Sequence, residues 1–147
     1  MTTWNVWCDG SAIPNPGRMG LGAVVVAPDG SRHTLSQSPQ DTGCNNEAEL
    51  RAVTLSLEDL KARGARCVRI HTDNSIVVAQ LRSTADQVSE PIVRLAAMFD
   101  AARALAADFK SVEIVWIPRA RNGEADALAR AALGVGPKQR KAKHVRR

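Results

Sequence analysis

Four acidic residues lie at positions where a carboxylate is expected to destabilise the fold unless it is paired or binds a metal ion. The stretch WNVWCDGSAIPNPG begins as a buried strand would, yet Asp9 ends it just before a loop rich in Gly, Pro and Asn. Glu49 falls in the first turn of a predicted helix, Asp73 closes the run CVRIHTD, and Asp126 lies near the start of a last predicted helix. A buried charge is strongly unfavourable unless it is paired or binds a metal ion. Each acid therefore needs a structural or a chemical reason.

A shared location would give these acids a chemical reason. Strand ends and helix N-termini in an open α/β sheet commonly meet in one crevice. Four carboxylates there would repel one another unless divalent cations lay between them. Ligand sets made of oxygen alone suit hard ions such as Mg²⁺ or Mn²⁺. Two such ions about 4 Å apart promote displacement at phosphorus, one by activating water and one by stabilising the leaving oxygen. The pattern favours a metal site of this kind.

Three of the acids also have a purely structural interpretation. Glu49 could be the acidic partner of a capping box that starts three residues earlier, at Asn46. The positive end of the helix dipole could favour Asp126, and Asp73 could cap a following short helix. Asp9 has no evident capping role. It is the occurrence of all four at the ends of converging elements that favours the metal site.

Apolar spacing and turn residues predict the elements that hold these acids. Strands are predicted at residues 4–9, 20–27, 32–37, 67–73 and 111–118, and helices at 47–64, 74–82, 89–109 and 123–133. The first helix has an apolar face of Leu50, Val53, Leu57 and Leu60, and the third has one of Leu95, Phe99, Ala102, Leu105 and Phe109, with Ser89 as its cap and Pro91 in its first turn. The order βββαβααβα predicts an α/β fold with a mixed five-stranded sheet, three antiparallel strands followed by parallel strands, flanked by helices.

The composition is typical of one globular domain. With 147 residues, 44% of them hydrophobic and 24% charged, the chain is long enough to bury about two thirds of its unfolded surface. No run approaches the roughly 20 apolar residues of a membrane helix, and the start MTTWNVWCDG does not have the pattern of a secretory signal. Cys8, Cys44 and Cys67 contain no C-x-x-C pair, which favours reduced thiols in a cytoplasmic protein. We expect a cytoplasmic monomer with no membrane segment.

The net charge of +5 is concentrated at the C-terminus. Residues 136–147 contain six basic residues and no acid, which leaves 14 basic and 15 acidic residues in the rest of the chain. This tail could be a disordered solubilising end, or an arm that binds a phosphate backbone without reading its sequence. We therefore predict a domain at residues 1–134 followed by a basic, disordered tail at residues 135–147.

Four stretches of the chain together resemble ribonuclease H, type I: WCDGSAIPNPGRMGLGAVV, CNNEAELRAV, IHTDNSIVVAQL and IPRARNGEADALARAA. The resemblance implies a mixed five-stranded sheet and hydrolysis of the RNA strand of RNA/DNA hybrids, with 5′-phosphate and 3′-hydroxyl products. It places four ligands of two Mg²⁺ or Mn²⁺ ions on Asp9, Glu49, Asp73 and Asp126. Asp9 would bridge both ions and the scissile phosphate. Glu49 and Asp73 would hold the ion next to the leaving group, and Asp126 the ion that delivers water.

The resemblance also implies a set of substrate contacts. Hybrid duplexes differ from DNA by the 2′-hydroxyl in a shallow minor groove, and amide side chains can both donate to and accept from that group. Asn45 and Asn46 match family positions that touch the minor groove. Asn15 is either a weaker contact of this kind or a turn residue of IPNPG. Asn74 either contacts the RNA strand or caps a helix.

The chain departs from the best-known bacterial pattern in two places. The loop before Asp126 reads PRARNGEAD and lacks the histidine that in many members assists proton transfer or product release. A short loop without histidine also occurs in one branch of the family. In this loop Arg119 and Arg121 either meet a phosphate or are solvated. The family's basic, Trp-containing protrusion is replaced by STADQVSE, so we expect weaker duplex binding by the body of the chain, for which the basic tail could compensate.

Three functions are compatible with these observations. The favoured one is a Mg²⁺- or Mn²⁺-dependent ribonuclease that acts on RNA/DNA hybrids. A related nuclease of the same fold with another duplex preference is the second, since a fold alone does not decide function. The pair Asn45 and Asn46 favours an enzyme that reads the 2′-hydroxyl. A non-catalytic hybrid-binding module is the third, but such a protein would have no reason to keep a costly acidic cluster.

Overall fold

The computed structural model describes residues 2–82 and 93–136, which form one twisted sheet with its helices. The strands are β1 (Thr3–Ile13), β2 (Gly17–Val26), β3 (Arg32–Gln37), β4 (Thr42–Gly43), β5 (Cys67–Thr72) and β6 (Ser111–Trp116). The helices are α1 (Asn45–Ala62), α2 (Ser75–Arg82), α3 (Ala96–Ala107) and α4 (Gly123–Ala132), with short 3₁₀ turns at Val93–Leu95 and Arg119–Arg121. The element order βββαβααβα predicted from the sequence is therefore observed, with β4 added.

The sheet is mixed, as predicted. Its strand order is β3-β2-β1-β5-β6, in which β2 is antiparallel to both β1 and β3. β5 is parallel to both β1 and β6. This confirms the α/β fold with five main strands. The additional strand β4 pairs only with the start of β2, and its two residues are too few to show the alternation by which a strand is predicted.

The apolar face predicted for α1 is confirmed. Leu50, Val53, Leu57 and Leu60 are each at most 1% exposed and belong to the main hydrophobic core. Full burial of such a side chain stabilises the fold by about 1.5–3 kcal/mol. These four side chains hold α1 firmly against the sheet.

The N-terminus of α1 differs from the capping box that the sequence allowed. The N-cap is Cys44, whose Sγ accepts the backbone N–H of Glu47 at 3.4 Å. Asn46 already lies inside the helix, so the pairing of Asn46 with Glu49 as a capping box is wrong. A weak sulfur acceptor in the cap position is difficult to predict, because Ser, Thr, Asp and Asn are the usual N-caps. Glu49 is thereby left without a capping role.

The described residues contain part of the predicted third helix. A 3₁₀ turn at Val93–Leu95 precedes α3, and the predicted apolar face is buried, with Leu105 half-buried and the other members at most 9% exposed. The predicted cap Ser89, Pro91 and the segment STADQVSE lie outside the described residues, as does the tail from residue 137 onward. Residues 2–82 and 93–136 include no helix that is long and apolar enough to cross a membrane. Their three cysteines are free, as predicted.

Candidate metal centre

Asp9 lies inside β1 rather than at its end. The prediction that the strand stops at Asp9 is wrong, because antiparallel pairing with β2 continues as far as Ile13. The parallel pairing with β5 on the other side ends earlier, at Trp7. Asp9 therefore occupies the part of β1 that has lost its parallel neighbour, and it is only 5% exposed.

A close approach between β1 and α1 brings Glu49 next to Asp9. Gly10 permits this approach, since a Cβ at that position would lie 2.2 Å from the carbonyl carbon and oxygen of Ala48. Glu49 is 4% exposed and accepts a hydrogen bond from Thr72 Oγ1 at 3.2 Å. The Gly10 backbone N–H donates to Glu49 as well, and when Glu49 carries a proton it donates a hydrogen bond to the Asp9 carboxylate.

Asp73 directly follows β5 and is held through two of its groups. Trp116 at the end of β6 donates from Nε1 to the Asp73 backbone carbonyl at 3.1 Å. Asn122 donates from Nδ2 to the carboxylate Oδ2 of Asp73, also at 3.1 Å. The next residue, Asn74, caps α2, because its Oδ1 accepts the Val77 N–H at 2.9 Å. The sequence analysis allowed Asp73 as the cap of this helix, but Asn74 has that role. The Asp73 carboxylate therefore makes no capping bond and can bind a cation.

Asp126 reaches the same region because α4 packs closely on β2. Gly22 makes room for the helix, since a Cβ there would lie 2.4 Å from the carbonyl oxygen of Ala125. Gly22 pairs with Asp9, so the first turn of α4 lies beside the Asp9 position. An acid in a first turn is also favoured by the helix dipole. For Asp126 the structural and the chemical interpretations are compatible.

The four acids converge on one cleft. Ligand oxygens of Asp9, Glu49 and Asp73 all lie within 4.8 Å of one another. Asp126 is outside this triple, but it lines the same cleft, whose volume is about 430 Å³, and it acts on Asp9 through a hydrogen bond and its charge. We call these four residues the acidic cluster and the space that they line the acidic cleft.

The acidic cluster cannot carry its full negative charge near neutral pH without compensation. Burial, together with the charge of Asp73, raises the pKa of Asp9 from 3.8 to about 7, although the hydrogen bond with Glu49 acts in the opposite direction. Burial, with a contribution from Asp9, raises the pKa of Glu49 well above its ordinary value. Such a group must hold protons or bind cations. Because all the ligand atoms are carboxylate oxygens, the cluster fits a hard divalent ion such as Mg²⁺ or Mn²⁺.

Comparison with known proteins identifies the family of this chain. Residues 7–132 match the protein family described as reverse transcriptase-like. The bifunctional protein Rv2228c of Mycobacterium tuberculosis is 39% identical over 127 residues, which cover 85% of this chain and 34% of that protein. The ribonuclease HI of Halobacterium salinarum is 32% identical over 129 residues, which cover 88% of this chain and 63% of that protein. The chain belongs to the type I ribonuclease H family.

Solved ribonuclease H structures share the fold. The N-terminal RNase H domain of Rv2228c superposes with a TM-score of 0.79 at 32% identity, covering 91% of this chain and 95% of that domain. RNase H1 of Halobacterium salinarum gives 0.81 at 29% identity, covering 90% and 98%. LC11-RNase H1, solved in complex with an RNA/DNA hybrid, gives 0.77 at 28% identity, covering 89% and 96%. The chain spans only about a third of the full length of Rv2228c.

In this ribonuclease H chain, three of the four predicted amide contacts line the acidic cleft: Asn45, Asn46 and Asn74. Asn45 Oδ1 accepts the Ala12 N–H at 2.8 Å, and Asn46 Oδ1 accepts from Asn74 Nδ2 at 2.8 Å. Each carbonyl oxygen therefore accepts a hydrogen bond from within the protein, which orients the amide so that the N–H groups of Asn45 and Asn46 can donate to a ligand. Asn15 lies outside the lining of the cleft, and its Oδ1 accepts the Asn45 backbone N–H at 3.1 Å. The structure thus ties the IPNPG turn to the start of α1.

The two arginines of the short loop face different spaces. Arg119 lines the acidic cleft, whereas Arg121 lines a neighbouring cavity of about 260 Å³ together with Trp7. Arg130 of α4, which the sequence analysis did not single out, also lines the acidic cleft. A polyanion that enters the cleft would therefore find two guanidinium groups beside the acids.

Neither described histidine takes the place of the missing loop histidine. The Nε2 of His33 lies 2.7 Å from Oδ2 of Asp59. His71 stacks on Trp7, with ring centroids 4.5 Å apart, and its Nδ1 lies 2.9 Å from the Val6 carbonyl oxygen. Within residues 2–82 and 93–136, the lining of the acidic cleft includes no histidine.

Sequence reasoning missed Asn122, which is 1% exposed behind the acidic cluster. An Asn just before a helix is normally interpreted as an N-cap, yet this side chain makes no capping bond. Its Nδ2 donates to Asp73 and, at 2.9 Å, to the Cys8 carbonyl. Its Oδ1 is buried without a hydrogen-bond partner among the described residues. A buried unpaired acceptor costs about 1–3 kcal/mol, so this orientation of the amide must be maintained by the two bonds of Nδ2.

Proposed function

We propose that this chain is a metal-dependent endonuclease that hydrolyses the RNA strand of RNA/DNA hybrids. The observation that carries the proposal is the buried group of Asp9, Glu49 and Asp73 carboxylates, whose oxygens lie within 4.8 Å of one another. In the reaction, the oxygen of water bonds to phosphorus and the bond between phosphorus and the 3′ oxygen breaks. That oxygen takes up a proton, which leaves a 3′-hydroxyl on one fragment and a 5′-phosphate on the other.

In this proposal the acidic cluster holds two Mg²⁺ or Mn²⁺ ions. Bound ions of this type supply an activated water and stabilise the leaving oxygen. The burial of Asp9 and Glu49 strengthens their attraction for a cation, because the surrounding protein screens charge less than water does. Since the pKa of Asp9 is raised to about 7, ion binding near neutral pH would release protons from the cluster.

The proposed substrate is supported by the lining of the cleft and by one relative. LC11-RNase H1, which shares this fold, was solved in complex with an RNA/DNA hybrid. In this chain, the amide N–H groups of Asn45 and Asn46 would donate to the minor-groove edge and to the 2′-hydroxyl. Asn74 and Arg119 also line the cleft, where Asn74 would contact the RNA strand and Arg119 would contact a phosphate. Asn15 and Arg121 do not line it, so a contact by either requires a duplex that extends beyond the cleft.

Wider properties of the protein belong to the same proposal. The three free cysteines support a reducing, cytoplasmic location. The basic tail supports an additional, sequence-independent contact with the phosphate backbone. We propose that the chain acts as a monomer, since one chain supplies all four acids of the cleft.

The proposal is tested by cleavage of one labelled sequence prepared as RNA/DNA, RNA/RNA and DNA/DNA duplexes. Each is incubated with Mg²⁺, Mn²⁺ or EDTA and with the parent, Asp9→Asn or Asp100→Asn protein. Asp100 is the matched control, because its side chain is 78% exposed and pairs with Arg103 on the surface of α3. We expect the parent and Asp100→Asn to cut only the RNA strand of the hybrid, and Asp9→Asn and EDTA to abolish cutting.

The other outcomes separate the alternatives. Cleavage of RNA/RNA or DNA/DNA at a comparable rate would identify a related nuclease with another duplex preference. Hybrid binding without cleavage under either metal would refute catalysis and would identify a binding module.

A further inference from the structure

One buried amide connects three segments that carry members of the acidic cluster. Asn122 Nδ2 donates to the Cys8 carbonyl at 2.9 Å, directly before Asp9 in β1. The same nitrogen donates to the carboxylate Oδ2 of Asp73 at 3.1 Å. The backbone carbonyl of Asn122 accepts the Asp126 N–H at 3.0 Å in the first turn of α4. A single residue thus spans β1, the end of β5 and α4.

The orientation of this amide is determined by its surroundings. A flipped amide would point its carbonyl oxygen at two acceptors, the Cys8 carbonyl and the Asp73 carboxylate. The observed orientation satisfies both acceptors and leaves Asn122 Oδ1 without a partner among residues 2–82 and 93–136. The amide therefore satisfies two neighbouring acceptors and leaves its own carbonyl oxygen without a hydrogen bond. Residues that act on metal ligands in this way are common around metal sites.

Asp73 is the member of the triple that most needs such support. Asp9 and Glu49 are at most 5% exposed, whereas Asp73 is half-buried and comes after the last residue of β5. Trp116 holds the backbone carbonyl of Asp73 but not its carboxylate. The hydrogen bond from Asn122 restrains the carboxylate itself. Without that bond, the carboxylate would be free to rotate towards solvent.

We propose that Asn122 is a positioning residue, whose amide holds the Asp73 carboxylate in the orientation that binds the metal ion. The inference rests on the proposed function, because it assumes that the acidic cluster binds divalent cations. Loss of a residue that orients a metal ligand typically weakens metal affinity about 10- to 100-fold. We expect a loss of this size, with little change in the KM for the hybrid at saturating metal.

The test measures Mn²⁺ binding to the full chain without nucleic acid, by electron paramagnetic resonance, beside steady-state kinetics. Two variants are used, Asn122→Ala and Asn122→Leu. Alanine leaves a cavity and leucine overfills the site, so an effect common to both reports the lost donor rather than altered packing. Ser56→Ala is the control, because Ser56 is also fully buried and donates to Ala52 at 2.8 Å within α1, away from the cleft.

Three results decide the matter. Weaker Mn²⁺ binding in both Asn122 variants, with binding by Ser56→Ala unchanged and kcat recovered at high metal concentration, supports the positioning role. A lower melting temperature in the Asn122 variants with Mn²⁺ affinity within about twofold of the parent overturns it. Absence of Mn²⁺ binding by the parent protein would instead refute the proposed function on which the inference depends.

Discussion

Replacement of Asp9 by asparagine should make the metal-free protein more stable at pH 8, even though it should abolish cleavage. Asp9 is 5% exposed and shares the cleft with the other acids of the cluster, so its ionised form is unfavourable in the folded protein. Asparagine has nearly the same shape and is neutral at every pH. The variant therefore removes a buried charge while leaving the fold in place.

The magnitude follows from the pKa of Asp9. This pKa is about 7 in the folded protein, against 3.8 for an ordinary aspartate. The folded state therefore binds the proton more tightly than the unfolded state. The stability contributed by this group is complete below pH 3.8 and is lost as the pH rises to about 7. The loss amounts to about 4 kcal/mol at pH 8. The variant escapes this loss, and weakening of the hydrogen bond with Glu49 offsets about 1 kcal/mol of the gain.

The assay is urea unfolding of the parent, Asp9→Asn and Asp100→Asn at pH 5 and pH 8, in EDTA and in excess Mg²⁺. In EDTA at pH 8 we expect Asp9→Asn to exceed the parent by about 3 kcal/mol, which corresponds to roughly 10 °C in Tm. The difference should shrink at pH 5, and Mg²⁺ should stabilise the parent more than the variant. If Asp9→Asn is no more stable than the parent at pH 8 in EDTA, or if Asp100→Asn shows the same gain, the reasoning about the buried charge is wrong.

Two further predictions concern the scaffold and the tail. Gly10→Ala should destabilise the protein by about 3 kcal/mol, because the new Cβ would lie 2.2 Å from the Ala48 carbonyl and would push α1 with Glu49 away from β1. Thermal unfolding should show no comparable loss in the control Gly123→Ala, since Gly123 has neither a positive φ nor an atom within 4 Å of its Cβ position. An equal loss of stability in both variants would refute the clash. Truncation after Leu133 should raise the KM for the hybrid. The slope of log KM against log salt concentration should fall by up to about 0.9 for each lost phosphate contact. An unchanged KM and an unchanged slope would show that the tail does not contact the substrate.

The main strands and helices could be predicted because their signals are local. The apolar face of α1 repeats at helical spacing, and in β5 the buried side chains Val68, Ile70 and Thr72 alternate with less buried ones. The extension of β1 beyond Asp9 was not predictable in this way. Residues 10–12 are Gly, Ser and Ala, which have weak strand propensity. Their strand conformation comes from antiparallel pairing with β2, a partner that only the folded sheet provides.

Residues of the candidate site also differ in whether local sequence could reveal them. The four acids could be selected because a carboxylate at the end of a predicted element is unusual in itself. Asn122 and Trp116 could not, because each resembles an ordinary residue in its local setting: an Asn before a helix and a Trp at the end of a strand. Their hydrogen bonds to Asp73 span 49 and 43 residues of sequence, so neither partner is visible from local spacing.

The position of the acids follows from the point at which the two kinds of strand pairing separate. The parallel pairing of β1 with β5 ends at Trp7 and His71, and Asp9 and Asp73 each come two residues later. Both residues lie just beyond the last paired positions of two neighbouring strands, and their carboxylate oxygens come within 4.8 Å of each other, so two like charges are held close together. β1 continues along β2, which keeps Asp9 rigid and buried, while β5 ends and leaves Asp73 to be held by Asn122 and Trp116. A fold optimised for stability alone would separate or neutralise this pair. The loss of stability is understandable if a cation compensates it. The same concentrated negative charge that destabilises the metal-free protein attracts a divalent ion.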